Sequence, residues 1–381
     1  MSLLRVRIST GALLAACALS GCHSQPQTLD PKVEADGLYI KATSEYLQGD
    51  FAQALSDFQE VRKRVPTDPR LPAAIGEVQL SSGNLKEALA EFQTAVAKEP
   101  KRGTTWGRIG FIQLQFGKLE EARSALLKAV ALNPHDYEAL EALGDLEEKQ
   151  GKADRAVDAW MHSAEAGPPA AAPSLYMKGA HALKDQHRAK DAIALLAKAK
   201  TAKVAAPELS TLLGDLLVQE GNLPDAAAAY EDAAKQSRKD PSLWELVGEI
   251  QAKMDRPANA EASFHESLKV KDRAVVHVAL GRLYLKQKDE GRAKQELELA
   301  LKAATGEEPR EGPELADLLY SLGRHKEAYL LLKVAATEPD EAKNLPLQRR
   351  TASLAKELKE PSVLAEACAR VKAAGDTAKC P

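Results

Sequence analysis

Aromatic side chains are scarce in this chain of 381 residues, at 4% of positions. That argues against a core of large rings, and with 44% hydrophobic residues it points to helices packed through alanine and leucine. Excess charge of one sign is also lacking. The 52 basic and 55 acidic residues leave a net charge of -3, which offers no general attraction for nucleic acid. No apolar run is long enough for a stable membrane span of about 20 residues. Catalytic signatures are missing as well: there is no GxSxG elbow, GxGxxG fingerprint or HExxH pair. Gly117-Lys118 and Gly151-Lys152 look superficially like a phosphate-binding loop. However, the upstream glycines Gly110 and Gly144 lie seven residues earlier rather than five, and Leu119 and Ala153 stand where a hydroxyl is needed. The eight histidines are scattered, and His181 and His187 fall on different faces of a helix or across its end. No carboxylate pair stands apart from the solvated faces. The expectation is no enzymatic activity, cofactor, metal or small-molecule substrate.

What the chain has is repetition. Glycine recurs at Gly49, Gly83, Gly117 and Gly151, alanine at Ala54, Ala88, Ala122 and Ala156, and proline at Pro66, Pro100, Pro134 and Pro168, each series in steps of 34. A fixed period between 20 and 50 residues means a repeat architecture, and one near 34 suits a helix-turn-helix unit. Gly76, Gly110, Gly144, Gly214, Gly248 and Gly281 recur in mid-helix, where glycine costs about 1 kcal/mol against alanine. They therefore need a packing reason. The expected reason is a close approach of the second helix at a small partner twelve residues on: Ala88, Ala122, Ala156, Ala226, Ala260 and Ala293. Gly83, Gly117 and Gly151 suit left-handed ends of first helices. Pro100 and Pro134 stop second helices, because the residue before proline avoids helical geometry.

The third unit carries Trp106, Ile109-Gly110, Leu119, Ala122, Ala129 and Pro134 at its fourth, seventh and eighth, seventeenth, twentieth, twenty-seventh and thirty-second positions. In this it resembles the tetratricopeptide repeat (TPR) family. The resemblance implies an all-α fold, a right-handed α-solenoid of about nine TPR helix-turn-helix units with a C-terminal helical cap.

The N-terminus reads MSLLRVRISTGALLAACALSGC, with two arginines, an apolar run from Gly11 to Leu19 and then small residues. That is the pattern of a secretory signal peptide over residues 1–21. Leu19-Ser20-Gly21-Cys22 is similar to a bacterial lipobox, which implies cleavage before Cys22 and lipidation of it. His23, rather than aspartate, follows the cysteine, and by the same resemblance this implies the periplasmic face of the outer membrane. Cys17 leaves with the signal. Cys368 and Cys380 remain, either as a bridge worth roughly 3 kcal/mol for a loop of this size or with Cys368 as a buried free thiol.

Residues 22–36 read as a flexible tether, 37–168 as units one to four, and 169–173 as a proline-rich joint that is a candidate break in the array. Residues 174–340 read as units five to nine, the fifth degenerate, with His187 in place of the turn glycine. Residues 341–381 read as capping helices and a tail.

The resemblance implies a concave surface lined by first helices, with ligand-facing places at Thr43, Glu77, Phe111, Asp145, Asp215, Glu249 and Arg282, and at Glu141 and Glu245. His181 falls at the same place in unit five. Glu77, Glu141, Asp145, Asp215, Glu245 and Glu249 would give the groove an acidic middle suited to a basic or polar protein segment. Tyr39, Tyr46 and Phe111 form a second candidate surface. The functional expectation is a membrane-tethered, non-enzymatic scaffold for protein partners in the periplasm, serving a pilus, secretion, motility or peptidoglycan machine. The alternatives are a regulatory subunit of an envelope enzyme, or a cytosolic adaptor with an unprocessed N-terminus.

Overall fold

The computed structural model describes residues 30–304, 312–336, 344–359 and 361–373. The described residues form twenty α-helices and no strand. They run in successive pairs: α1 Pro31–Gln48 and α2 Phe51–Arg64, α3 Arg70–Ser81 and α4 Leu85–Lys98, α5 Gly103–Gln115 and α6 Leu119–Leu132, α7 Tyr137–Lys149 and α8 Ala153–Ala166. There follow α9 Ala172–Asp185 and α10 Ala189–Thr201, α11 Pro207–Gln219 and α12 Leu223–Gln236, α13 Pro241–Lys253 and α14 Pro257–Val270. The last are α15 Ala274–Lys286 and α16 Glu290–Ala304, α17 Gly312–Ser321 and α18 His325–Ala335, α19 Leu345–Glu357 and α20 Pro361–Ala373.

Local chemistry sets these boundaries. The turn glycines Gly49, Gly83, Gly117, Gly151, Gly221 and Gly323 have φ between 72° and 86°, a region open to glycine at little cost. His187, Asp255 and Lys288 take φ of 59°, 56° and 63° at the corresponding turns, without glycine's freedom. Second helices α2, α4, α6 and α8 each stop two residues before Pro66, Pro100, Pro134 or Pro168. The helix ends where proline would forbid it to go on.

The mid-helix glycines do have a packing reason, but the partner is not the expected one. A β-carbon on Gly76 would lie 2.7 Å from the ring of Phe92, and one on Gly110 would lie 2.5 Å from Leu126 Cγ. Equivalent clashes await at Gly144 with Trp160, Gly214 with Tyr230, Gly248 with Phe264 and Gly281 with Leu297. Each glycine therefore seats a large side chain sixteen residues on. The alanines twelve residues on are fully buried, but the notch was not cut for them. Phe92, Leu126, Trp160, Phe264 and Leu297 are almost wholly buried, and burying a side chain of that size contributes about 1.5–3 kcal/mol.

Chain contacts divide the molecule into two units, Met1–Ala142 and Leu143–Pro381, with the division inside α7. In the first unit, Phe58 and Val61 of α2 pack with Leu71, Ile75 and Val78 of α3, and Phe92 and Val96 of α4 pack with Ile109 and Ile112 of α5. Each pair thus gains a core by leaning on the next, the arrangement of a helical-repeat solenoid. In the second unit the same logic joins Leu195 and Leu196 of α10 to Leu209, Leu212 and Leu216 of α11, and Tyr230 of α12 to Val247 and Ile250 of α13. Leu347, Leu354 and Ala355 of α19 share a core with Leu315, Leu319 and Leu332. The capping helices therefore stack as one more pair.

Two expected boundaries are corrected. The tether does not extend to residue 36, because α1 begins at Pro31, where the Asp30 carboxylate accepts the Lys32 N–H at 2.9 Å. Proline is tolerated in a first turn, where its missing donor would have had no partner. Nor do residues 169–173 break the array. Trp160 of α8 and Leu175 of α9 share one core cluster across them, and the Ala171 N–H reaches the Pro168 carbonyl at 2.9 Å. Residues 1–21, the lipobox cysteine Cys22 and Cys380 lie outside the described residues. Cys368 is disulfide-bonded and packs beside Ala352, Ala367 and Val371.

Candidate interaction surface

The expected ligand-facing residues do lie on first helices: Tyr39 and Thr43 on α1, Glu77 on α3, Phe111 on α5, Glu141 and Asp145 on α7, Asp215 on α11, Glu245 and Glu249 on α13, and Arg282 on α15. What the structure adds is the use to which most of them are already put. In the first unit, Tyr39 packs edge-on against Phe58 with ring centroids 5.2 Å apart, and the Arg70 guanidinium covers its ring. Burial, outweighing the lowering effect of Arg70, pushes the Tyr39 phenol up from its ordinary value. The Thr43 hydroxyl donates to the Tyr39 carbonyl at 2.8 Å. Tyr46 rests against Phe51 and within hydrogen-bond distance of Ser81. These residues support the first repeat, so Tyr39, Tyr46 and Phe111 do not form one free aromatic cluster. Phe111 alone of the three ranks among the exposed large apolar side chains, at 39%.

The carboxylates divide by what fills the notch beside them. Where the notch holds Trp160, whose indole N–H needs an acceptor, the residue after the glycine is Asp145, which accepts that N–H at 2.9 Å and the Lys178 ammonium at 2.9 Å. Where it holds Tyr230, the phenol donates to Asp215 at 2.6 Å. Burial and that hydrogen bond push the phenol well above its ordinary value. Where it holds Phe92 or Phe264, which carry no polar tip, the acid is released for another partner. Glu77 then takes Arg108 of the next repeat at 2.9 Å, and Glu249 takes Arg282.

Arg108 and Arg282 each bridge two acids, because Arg108 also reaches Glu138 at 2.5 Å and Arg282 also reaches Glu314. The result in each unit is a ladder of alternating charge along first helices. Glu245 is the most enclosed member. It accepts from Arg273 at 2.7 and 2.8 Å and from the buried Ser267 hydroxyl at 3.1 Å. Glu141 is half-buried. Of the expected acidic middle, Glu77, Asp145, Glu245 and Glu249 are therefore compensated by cations one repeat on, whereas Asp215 is held by the Tyr230 phenol. The sequence reading missed Arg108, Lys178, Arg273 and the acids Glu138 and Glu314. The signal was present: each cation follows its acid by 28 to 33 residues. Pairs as exposed as Arg108–Glu138 and those of Arg282 contribute about 0–1 kcal/mol each, so there the ladder sets register more than stability.

Among the described residues no helix is long and apolar enough to cross a membrane. No group of three or more His, Cys, Asp or Glu side chains among them is placed to hold a metal ion.

Sequence profiles described as tetratricopeptide repeat match residues 45–107, residues 112–172 and 177–243, and residues 274–305, together more than half of the chain. The chain belongs to the tetratricopeptide repeat family. Repeats of this family bind protein partners, and the TPR fold is generally a scaffold for interaction rather than an enzyme. Similar solved structures include a TPR protein of Parabacteroides merdae, at 17% identity over 76% of this chain and 98% of that one, with a TM-score of 0.35. PilF of Pseudomonas aeruginosa is similar at 17% identity over 58% and 98%, with a TM-score of 0.33. A thermophilic TPR protein of Thermus thermophilus is similar at 22% identity over 57% and 99%, with a TM-score of 0.31. No curated protein matches the chain.

Proposed function

We propose that this TPR chain is a lipid-anchored scaffold of the bacterial envelope, held through Cys22 at the periplasmic face of the outer membrane, that binds a polar or basic segment of a protein partner along its first helices. The anchor rests on Leu19-Ser20-Gly21-Cys22 at the end of a leader with two arginines and a short apolar run. Several acyl chains on one cysteine suffice for stable anchoring where one is marginal. The partner-binding role rests on one observation above the others: each arginine of the charge ladder is shared between two acids, of which Glu138 and Glu314 are exposed. Glu77, Glu138, Glu249 and Glu314 each hold one branch of a shared arginine. A partner's basic side chain can take over such an acid while the arginine keeps its other one. Phe111, three residues after Arg108 on α5 and exposed, supplies the apolar contact of this surface in the first unit. Exposed aromatics of this kind often dominate binding energy.

The anchor has a direct test. The Cys22→Ala chain, expressed in its own host, is expected to leave the membrane fraction for the soluble one, while the parent chain carries acyl chains on Cys22 by mass spectrometry. A Cys22→Ala chain that stays with membranes contradicts the anchor. The bond at Cys368 is proposed to close on Cys380, and a peptide map under non-reducing conditions would show the two linked.

A further inference from the structure

Among the described residues no second helix precedes α1 to cover its outward face. Elsewhere in the first unit that face is buried: Leu71 and Val78 of α3 lie against Phe58 and Val61 of α2. One repeat earlier the same places are Gly37 and Ser44, and both are exposed. Around them stand Val33, Ile40 and Leu47, exposed by 55%, 70% and 78%. At 100° per residue these five side chains fall within an arc of about 80°, opposite the buried Ala35 and Ala42. Terminal repeats normally turn a polar face outward, and this one does not.

Gly37 supplies a second observation. Gly76 and Gly110, in mid-helix in the same unit, are each filled by a side chain of their own repeat, whereas a β-carbon on Gly37 would meet nothing within 4 Å. Its cost of about 1 kcal/mol in a helix has no intramolecular return. A glycine and a serine within an apolar stripe of seven-residue spacing describe a seam for close approach of another helix.

We propose that this face of α1 is the interface of a two-fold dimer, α1 lying antiparallel on α1 of a second copy, with Ile40 at the axis and Val33 opposite Leu47 of the partner subunit. The choice of a second copy rests on the lipid-anchor reading in one respect. With Cys22 as first residue, only eight residues precede Asp30, with Pro26 among them, too few for the 14-residue helices α2 and α4 that cover this face elsewhere. A lipid surface fits poorly, because Lys32 and Lys41 are outnumbered on α1 by Glu34, Asp36 and Glu45, and Lys41 is already held by Asp57 at 2.6 Å. Among the described side chains of α19 and α20 no large apolar one is exposed, so they offer no second patch for head-to-tail assembly. The stripe is complementary to itself, which is what an isologous contact requires.

The test uses the full chain purified in detergent. Ile40→Cys treated with a short bismaleimide is expected to give a crosslinked dimer. Val33→Cys alone is not, because the two copies of that site would lie about 21 Å apart along the helix axis, but a mixture of Val33→Cys and Leu47→Cys chains is. Ile40→Glu should weaken self-association in sedimentation velocity by about 100-fold or more, as facing like charges do, with an unchanged circular dichroism spectrum. A parent chain that sediments as a monomer at micromolar concentration, or an Ile40→Cys chain that gives no dimer, overturns the proposal. So does a monomer in which Ile40→Cys is shielded from maleimide only by phosphatidylethanolamine/phosphatidylglycerol vesicles, or only by an uncleaved leader. Mass spectrometry of the same sample reads the N-terminus, so failure of the lipid anchor and failure of the dimer are seen separately.

Discussion

At Gly110 a β-carbon would lie 2.5 Å from Leu126 Cγ and 3.1 Å from the Leu126 backbone nitrogen, so little can give way. Overpacking of that kind costs about 1–3 kcal/mol, against a helix-propensity gain of about 1 kcal/mol. Gly110→Ala is therefore expected to destabilise the chain by up to about 2 kcal/mol, read as a lower urea midpoint with an unchanged slope. His277 makes a prediction of a different sign. It is buried on α15, with Nδ1 2.7 Å from Glu296 and Nε2 2.8 Å from Asp272. Burial alone would lower its pKa, but the two carboxylates outweigh burial and raise it above the ordinary 6.5. A raised folded value means the imidazolium's contribution is fully present below pH 6.5 and is lost as pH rises through the folded value. Thermal melts from pH 5.5 to 9 should show the parent chain losing its advantage over His277→Gln as pH rises. An advantage that grows with pH would contradict this assignment.

Among elements, the turns carry the most local information. His187, at φ 59°, stands where six other repeats place Gly49, Gly83, Gly117, Gly151, Gly221 and Gly323. A left-handed residue costs roughly 1–2 kcal/mol and glycine loses about 0.5–1 kcal/mol in chain entropy, so His187→Gly should stabilise the chain by up to about 1 kcal/mol. A lower melting temperature would count against that expectation. Turn glycines and stop prolines were legible in the sequence because each acts within its own few residues. The start of α1 was not, since Pro31 serves equally well in a tether or a first turn, and only the Asp30 hydrogen bond decides. The partner of the helical glycines was misread for a related reason: Ala88 and Phe92 are four residues apart on one face of α4, and periodicity cannot say which of them fills the notch. The site was legible as positions and not as pairings. Glu77 and Glu249 look alike in sequence to Asp145 and Asp215, and what separates them is whether Phe or a polar-tipped ring lies fifteen residues on.

For the chain as a whole, stability accrues from neighbour to neighbour, and the proposed binding role belongs to a surface rather than to a pocket. A near-balance of charge, at -3 overall, is reproduced locally by the ladder, so on the proposed reading the order of charges and exposed apolar side chains such as Phe111 would select a partner. The same chain exposes Leu127 by 50% on α6, a second helix, where no partner is expected. The most direct test sets these two sites against each other, with a photo-crosslinking amino acid placed in intact cells at Phe111 in one chain and at Leu127 in another. A scaffold that binds along its first helices gives a discrete protein adduct from position 111 and none from position 127. Adducts from position 127 alone, or the same adducts from both, would contradict it.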